Sequence, residues 1–166
     1  MSLCEGIVPE DWLKKPGEVG YLEARIWESG NFKDSLDTSG RAYSDGSGGA
    51  KEIPRSITQV AFGAASFSFK HGQGTCYELE EVGCIGGQVP GKQTVPRAEL
   101  WGGIQTLIRA HPDWDIDLGI DASYVTKGCT NRAKLSSGSN GDLWCLMYDI
   151  IDSRGGRLTS SKSNRT

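Results

Sequence analysis

Residues 94–110, TVPRAELWGGIQTLIRA, restrict the fold more than any other segment of the chain. Apolar residues recur there at the helical period, and Pro96 suits a first helical turn, although Gly102 and Gly103 weaken the helix. Patterns typical of strands stand on both sides of it. A helix between two strands of one sheet makes a right-handed crossover that joins parallel strands. The segment therefore predicts an α/β fold with a parallel strand pair.

Other segments supply the remaining elements. ITQVAFGAASFSF and TCYELEEVGCIGG, within residues 57–87, predict an antiparallel hairpin with an irregularity at the small residues 63–65. Residues 41–45 predict a strand end, and WDIDLGID alternates at period two up to Asp121. NGDLWCLMYDIIDSRGG predicts a second long helix, with one more strand starting after it. We expect a mixed five-stranded sheet with flanking helices.

The chain divides into two parts by composition. Residues 1–39 hold two prolines, many acidic residues and no sustained period, so they predict a leader or linker with a short helix near residues 19–27. Residues 40–166 hold the patterned elements and form the predicted domain. With 166 residues, one core of ordinary size is expected.

Charge and cysteine content narrow the classes of function. A net charge of −3 argues against a protein that holds nucleic acid by bulk electrostatics, so a polyanion would need a local site. Five cysteines without CxxC spacing, and no apparent secretory leader, predict reduced thiols in an intracellular protein, cytoplasmic or nuclear. The two histidines, His71 and His111, make a zinc site improbable, and no window reaches membrane-spanning length.

Three carboxylates can meet in this arrangement. Asp45 and Asp121 end two strands that we expect to be parallel neighbours, and ligands bind at the carboxyl ends of such strands. Glu99 lies in the first turns of the crossover helix, which can approach the same edge. Carboxylates gathered there would repel one another unless a cation neutralised them, and Mg²⁺ prefers oxygen ligands. Two such ions roughly 3.5–4 Å apart can promote phosphodiester cleavage.

Four motifs resemble those of the ribonuclease H family. YSDGSGG is similar to its first motif, PRAELWGGIQTL to its second, IDASYVTKG to its third and NGDLW to the start of its later helix, in the family's order across residues 41–160. The resemblance implies a three-layer α/β fold and metal-dependent hydrolysis of the RNA strand of RNA–DNA hybrids. The stretch from SDGSGG to VPRAELWG also resembles ribonuclease H regions of retroelement polyproteins, which include a reverse transcriptase.

The resemblance also assigns roles to residues. Asp45, Glu99 and Asp121 match the catalytic residues that bind Mg²⁺ or Mn²⁺, with Glu99 orienting the attacking water. A second set, close to the first and third motifs, matches positions that contact the substrate: Gly46, Ser47 and Ser123. Tyr124 and Val125 match apolar packing positions. Recognition of the hybrid would rest on 2′-hydroxyl groups and backbone shape.

The sequence departs from the family pattern near its end. No histidine follows His111 and no acidic residue follows Asp152, so the product-release histidine and a fourth metal ligand have no counterpart here. We therefore expect a domain that is incomplete at its C-terminus. The alternative function is a catalytically inactive nucleic-acid-binding remnant of the same fold, and a less favoured third class is an integrase-like nuclease.

Structural explanations compete with the functional ones. Asp45 could only cap a strand, Glu99 could be a solvated helix residue, and Ser47 could only satisfy a turn. Asp115 and Asp117 share the predicted strand face of Asp121 and are rivals for its role. Asp142 is interpreted as a helix-start residue, because the helix dipole favours a carboxylate there.

Overall fold

The computed structural model describes residues 20–32, 41–48, 59–71, 77–128 and 132–162. Along the chain these residues form β1 (Ile26–Gly30), β2 (Arg41–Ser47), β3 (Ala61–His71), β4 (Tyr77–Gln88), α1 (Val95–Arg109), β5 (Ile116–Ile120), α2 (Ser123–Gly128), α3 (Arg132–Ser136), α4 (Gly141–Ser153) and β6 (Leu158–Lys162). The order confirms the predicted hairpin, crossover helix, second long helix and final strand. The short helices α2 and α3 were not predicted.

The strands form one mixed sheet in the order β1-β4-β3-β2-β5-β6. Strand β2 pairs antiparallel with β3 and parallel with β5, and β6 pairs parallel with β5. The predicted parallel pair is therefore present. The irregularity of the hairpin lies at Ser66 and Phe67 and not at residues 63–65, because β4 carries one extra residue, Val82, opposite that point.

The sheet has a sixth strand where five were predicted. Strand β1 pairs antiparallel with β4, and it lies inside the range predicted as leader or linker, so the expected helix near residues 19–27 is wrong for the described residues. Glycines of β4 allow this pairing. A Cβ atom at Gly87 would overlap the carbonyl of Arg25, and one at Gly83 would overlap the backbone of Phe32.

Helix α1 covers one face of the sheet. A Cβ atom at Gly102 would lie 3.3 Å from Cβ of Ser44, and one at Gly103 would lie 3.2 Å from Cδ1 of Ile120. These glycines reduce helix propensity, but they let the helix backbone approach β2 and β5. Helix α4 packs on α1, and the core between helices and sheet includes Ile85, Leu100, Ile104, Leu107, Leu118, Ile120, Leu143 and Met147.

Two further expectations can be compared with the described residues. Cys84 and Cys145 are free thiols, and the other cysteines, Cys4, Cys76 and Cys129, lie outside the described residues. Of the helices that the structure describes, none has both the length and the apolar character needed to cross a bilayer.

Candidate active site

The first two acidic residues lie at adjacent strand ends. Ser44 of β2 is in register with Ile120 of β5, and these two residues form the last aligned pair of the parallel strands. Asp45 is the next residue of β2, which continues to Ser47, and Asp121 is the first residue after β5. Both line one groove of about 500 Å³. The predicted proximity of these two residues at one sheet edge is therefore present in the structure.

The groove crosses the sheet face that points away from α1. Small residues, among them Gly63, Ala65 and Cys84, form part of its lining, beside larger ones such as Tyr43. Trp27 of β1 also lines the groove and is 57% exposed. A Cβ atom at Gly86 would lie 2.5 Å from Cζ2 of Trp27, so the indole rests directly on that glycine.

The third acidic residue, Glu99, approaches from the helix layer. Its side chain is buried, with 9% exposure. A Cβ atom at Gly46 would lie only 2.7 Å from the backbone nitrogen of Glu99 and 3.0 Å from its Cγ. The absence of a side chain at Gly46 thus lets the first turns of α1 start against the end of β2, next to Asp45.

The carboxylates do not form a ready ligand cluster. Oδ1 of Asp45 accepts a hydrogen bond from the backbone N–H of Gly46 at 3.0 Å. Within the part of the chain that the structure describes, no three His, Cys, Asp or Glu side chains are grouped so that they could hold a metal ion. The all-oxygen donor set suits Mg²⁺ or Mn²⁺, and the backbone places the donors around one strand end. Donor chemistry and backbone position fit a divalent ion, while convergence of the three side chains is missing.

Asp115 and Asp117, the alternatives to Asp121, form ion pairs outside the groove. Asp117 accepts from the guanidinium of Arg41 at 2.8 Å. Asp115 accepts from the backbone N–H of Arg157 at 2.7 Å and from its guanidinium at 3.0 Å. These bonds, the backbone one first, lower the pKa of Asp115. Neither residue lines the groove, so the structure favours Asp121 among the three as the partner of Asp45.

Of the three residues predicted to contact the substrate, two line the groove and one does not. Gly46 and Ser47 line the groove beside Asp45. Ser123 starts α2 on the far side of Asp121 and is exposed, but it is not part of the groove lining. Its carbonyl accepts a hydrogen bond from the hydroxyl of Thr126 at 2.9 Å. The structure thus brings two of these three residues to the groove.

Tyr124 connects α2 to the first turn of α1. Its hydroxyl donates to the carbonyl of Pro96, and its ring packs edge-on against Trp144. Burial, and next the charge of Glu99, raise the pKa of Tyr124 far above its usual range, so the phenol stays neutral. The sequence assigned Tyr124 a packing role only, and the hydrogen bond adds a connection close to Glu99.

A half-buried ion pair, which the sequence did not reveal, joins the N-terminal ends of α1 and α4. The side chain of Arg97 is 4% exposed, and its Nη1 and Nη2 donate to the two carboxylate oxygens of Asp142 at 2.9 and 2.5 Å. The hydroxyl of Tyr21 donates to the same carboxylate. These bonds, that from Arg97 first, hold the pKa of Asp142 well below its usual range. Burial, followed by the bond to Asp142, raises the pKa of Tyr21.

Comparison with known proteins identifies the fold. No protein-family model matches the chain, and no curated protein matches it in sequence. The protease–reverse transcriptase of prototype foamy virus is similar in structure, with a TM-score of 0.55 and 14% identity. The match covers 75% of this chain and 17% of that one, so the chain corresponds to a small part of that protein's length.

An isolated ribonuclease H domain matches over most of its own length. The solution structure of the PFV RNase H domain has a TM-score of 0.51 at 13% identity, and the match covers 75% of this chain and 79% of that domain. A ribonuclease H1, LC11-RNase H1, solved in complex with an RNA/DNA hybrid, has a TM-score of 0.48 at 15% identity, with coverage of 76% and 86%. The chain has a ribonuclease H-like fold.

Proposed function

We propose that this chain is a divalent-metal-dependent endonuclease that hydrolyses the RNA strand of RNA–DNA hybrids. One observation carries the proposal: on a ribonuclease H-like fold, Asp45 and Asp121 follow the last aligned pair of parallel strands and line one groove, with Glu99 against Gly46. The three carboxylates belong to the first three of the sequence motifs that resemble the ribonuclease H family.

The three carboxylates have complementary roles. Asp45 and Asp121 would hold Mg²⁺ or Mn²⁺ at the strand ends, and Glu99 would complete the ligand set and orient the attacking water. A bound ion would lower the pKa of the attacking water and stabilise the negative charge on the leaving oxygen. Hydrolysis on this pattern leaves a 3′-hydroxyl group.

Recognition of the hybrid would use the surface beside Asp45. The hydroxyl of Ser47 is exposed at the end of β2, and the backbone of Gly46 lies next to it in the groove. Ser123, which is exposed two residues after Asp121 but outside the groove lining, would add a further contact. A hydroxyl group and backbone groups suit contact with 2′-hydroxyls and phosphates, which identify RNA by shape and not by base sequence.

A second candidate function is hybrid binding without cleavage. The observation that favours it is the lack, within the described residues, of any group of three side chains that could hold a metal ion. In this alternative the same groove binds nucleic acid but does not turn it over. It differs from the first proposal in one measurable respect, since binding would persist and product would not form.

The biological setting is part of the proposal. The motifs resemble retroelement ribonuclease H regions, and a structural neighbour is a foamy virus protease–reverse transcriptase. We propose that the chain is part of a longer reverse-transcriptase polyprotein that acts inside the cell, in the cytoplasm or the nucleus.

Cleavage of matched substrates tests the function. An end-labelled RNA–DNA hybrid, duplex RNA, duplex DNA and single-stranded RNA of one sequence are incubated with the chain in Mg²⁺ or Mn²⁺, and binding is measured in parallel. The first proposal predicts that only the RNA of the hybrid is cut. Binding without cutting would support the second candidate, and neither binding nor cutting by the folded chain would contradict both.

A further inference from the structure

We propose that Tyr21 is a positioning residue that holds the N-terminal end of α1, and with it Glu99, through the Arg97–Asp142 pair. The inference rests on the proposed function, because it gives Glu99 a role in cleavage. It concerns the N-terminal segment (residues 20–32), which the sequence assigned to a leader or linker.

Both parts of the Tyr21 side chain contact this region. Its hydroxyl donates to the carboxylate of Asp142 and accepts from Nη2 of Arg97 at 3.1 Å, so it stands between the two charged groups. Its ring packs edge-on against Trp101, with centroids 5.9 Å apart. Trp101 is one helical turn beyond Arg97 and is buried. One side chain thus fixes two successive turns of α1.

Arg97 is well suited to transmit this restraint. Its Nε donates to the carbonyl of Pro90 at 2.5 Å, and Nη1 also approaches Oδ1 of Asn140 at 3.4 Å. Gly91 makes room for the guanidinium, since a Cβ atom there would lie 2.9 Å from Nη2. Gly91 also has a positive φ of 75°, which a residue with a side chain rarely adopts. Glu99 is two residues further along the same helix, so a shift of Arg97 displaces it.

The N-terminal segment is itself anchored, so Tyr21 can act as a fixed point. Strand β1 pairs with β4, and Phe32 at the end of the segment is fully buried. Glu28 accepts from Nε of Arg109 at 3.3 Å, in the last turn of α1. The segment therefore contacts α1 near both of its ends.

The test compares Tyr21→Phe, which removes only the hydroxyl, with Leu22→Ala as matched control. Leu22 is the next residue and is fully exposed. We expect Tyr21→Phe to speed amide hydrogen exchange in residues 97–103 by about tenfold, the effect of losing one hydrogen bond to charged groups. We also expect kcat for hybrid cleavage to fall by about tenfold with KM unchanged, because a small displacement of a catalytic group lowers the rate and not substrate binding. Leu22→Ala should change neither quantity.

Each outcome has a distinct meaning. Unchanged exchange in Tyr21→Phe would overturn the inference, and so would faster exchange with an unchanged kcat measured well below the melting temperature. A wild-type chain that folds but does not cut hybrids would contradict the proposed function. In that case unchanged exchange would still show that Tyr21 does not hold α1, and faster exchange would support the restraint itself. The two failures are therefore distinguishable.

Discussion

At the scale of single residues, the candidate site depends on an absent side chain as much as on its carboxylates. Asp45 and Glu99 come from different layers, a strand and a helix, and Gly46 is the contact point between those layers. The sequence indicated Gly46 as a turn or substrate residue because it follows Asp45. Its packing role could not be predicted, because it depends on where α1 crosses the sheet.

Gly46→Ala tests this contact. The new Cβ would lie 2.7 Å from the backbone nitrogen of Glu99, so α1 or β2 must move. We expect the free energy of unfolding to fall by about 1–3 kcal/mol, the usual cost of overpacking, and hybrid cleavage to fall with it. Gly63→Ala, on the neighbouring strand, is the stability control, because its nearest neighbour would be 4.0 Å away. Equal stability of the two variants in urea denaturation would contradict the close approach.

Asp142→Asn tests the half-buried Arg97–Asp142 ion pair through its pH dependence. The low pKa of Asp142 in the folded state means that its ionised form contributes stability above the unfolded pKa of about 3.9. That contribution is lost as pH falls towards the folded pKa. Since Asp142 is 47% exposed, we expect a cost of only about 1–2 kcal/mol at pH 7.

The unfolding free energies of wild type and Asp142→Asn, measured from pH 7 to pH 2, should therefore converge below about pH 4. Asp149→Asn, on the exposed side of the same helix, is the control and should match wild type throughout. A difference that stays constant down to pH 2 would show that Asp142 is not stabilised in its ionised form.

At the scale of elements, the sequence predicted those with a long hydrophobic period and missed short ones. The hairpin, α1, α4 and β5 each carry enough apolar positions to define a period. Strand β1 has only five residues, and four of them are exposed, so it shows no alternation of buried and exposed positions. Its signal lies in the glycines of β4, more than fifty residues away. Helices α2 and α3 span six and five residues, too few to establish a helical period.

The C-terminal end of α1 depends on one residue from beyond α4. Arg154 donates to the carbonyls of Leu107 and Ala110 at 3.4 Å, and to those of His111 and Trp114 at 2.9 Å. The last carbonyls of a helix have no hydrogen-bond donor within the helix, so Arg154 supplies donors to them. This side chain also joins α1 to the turn that leads into β5, the strand that Asp121 directly follows.

Arg154→Met should therefore lower the free energy of unfolding by about 1–3 kcal/mol, because it keeps an apolar stem and removes the donors. Arg157→Met is the matched control. Arg157 is 78% exposed and pairs with Asp115 at the surface, so its loss should cost about 1 kcal/mol or less. Thermal or urea denaturation of the two variants checks the difference, and a larger loss in Arg157→Met would refute this account of the helix end.

At the scale of the whole molecule, the two faces of the sheet have different roles, one in core packing and one in forming the groove. One face packs against α1 and forms the core, and the opposite face carries the groove with Asp45 and Asp121. The sequence predicted which strand ends would be adjacent, because parallel pairing follows from the crossover. It could not predict the side-chain directions, which decide whether the three carboxylates converge.

The N-terminal segment belongs to this molecule-wide arrangement, and Phe32→Ala tests that. Phe32 is fully buried although it lies in the range predicted as leader or linker. Truncating a buried Phe leaves a cavity, so we expect a loss of about 3–5 kcal/mol in the free energy of unfolding. Leu22→Ala, in the same segment but exposed, should stay within about 0.5 kcal/mol of wild type. A wild-type melting curve for Phe32→Ala would show that the segment is not part of the domain.

Cleavage of an RNA–DNA hybrid by wild type, Asp45→Asn and Asp149→Asn, compared in Mg²⁺ under single-turnover conditions, tests the central claim most directly. Asp45→Asn keeps the size of the side chain and removes the charge that would hold the ion, while Asp149 is an exposed residue of α4. We predict that wild type and Asp149→Asn cut the RNA strand at equal rates and that Asp45→Asn is at least about 100-fold slower, the loss expected when one strong electrostatic contact is removed. Equal cutting by all three chains would contradict the carboxylate site, and no cutting by any of them would contradict the proposed nuclease.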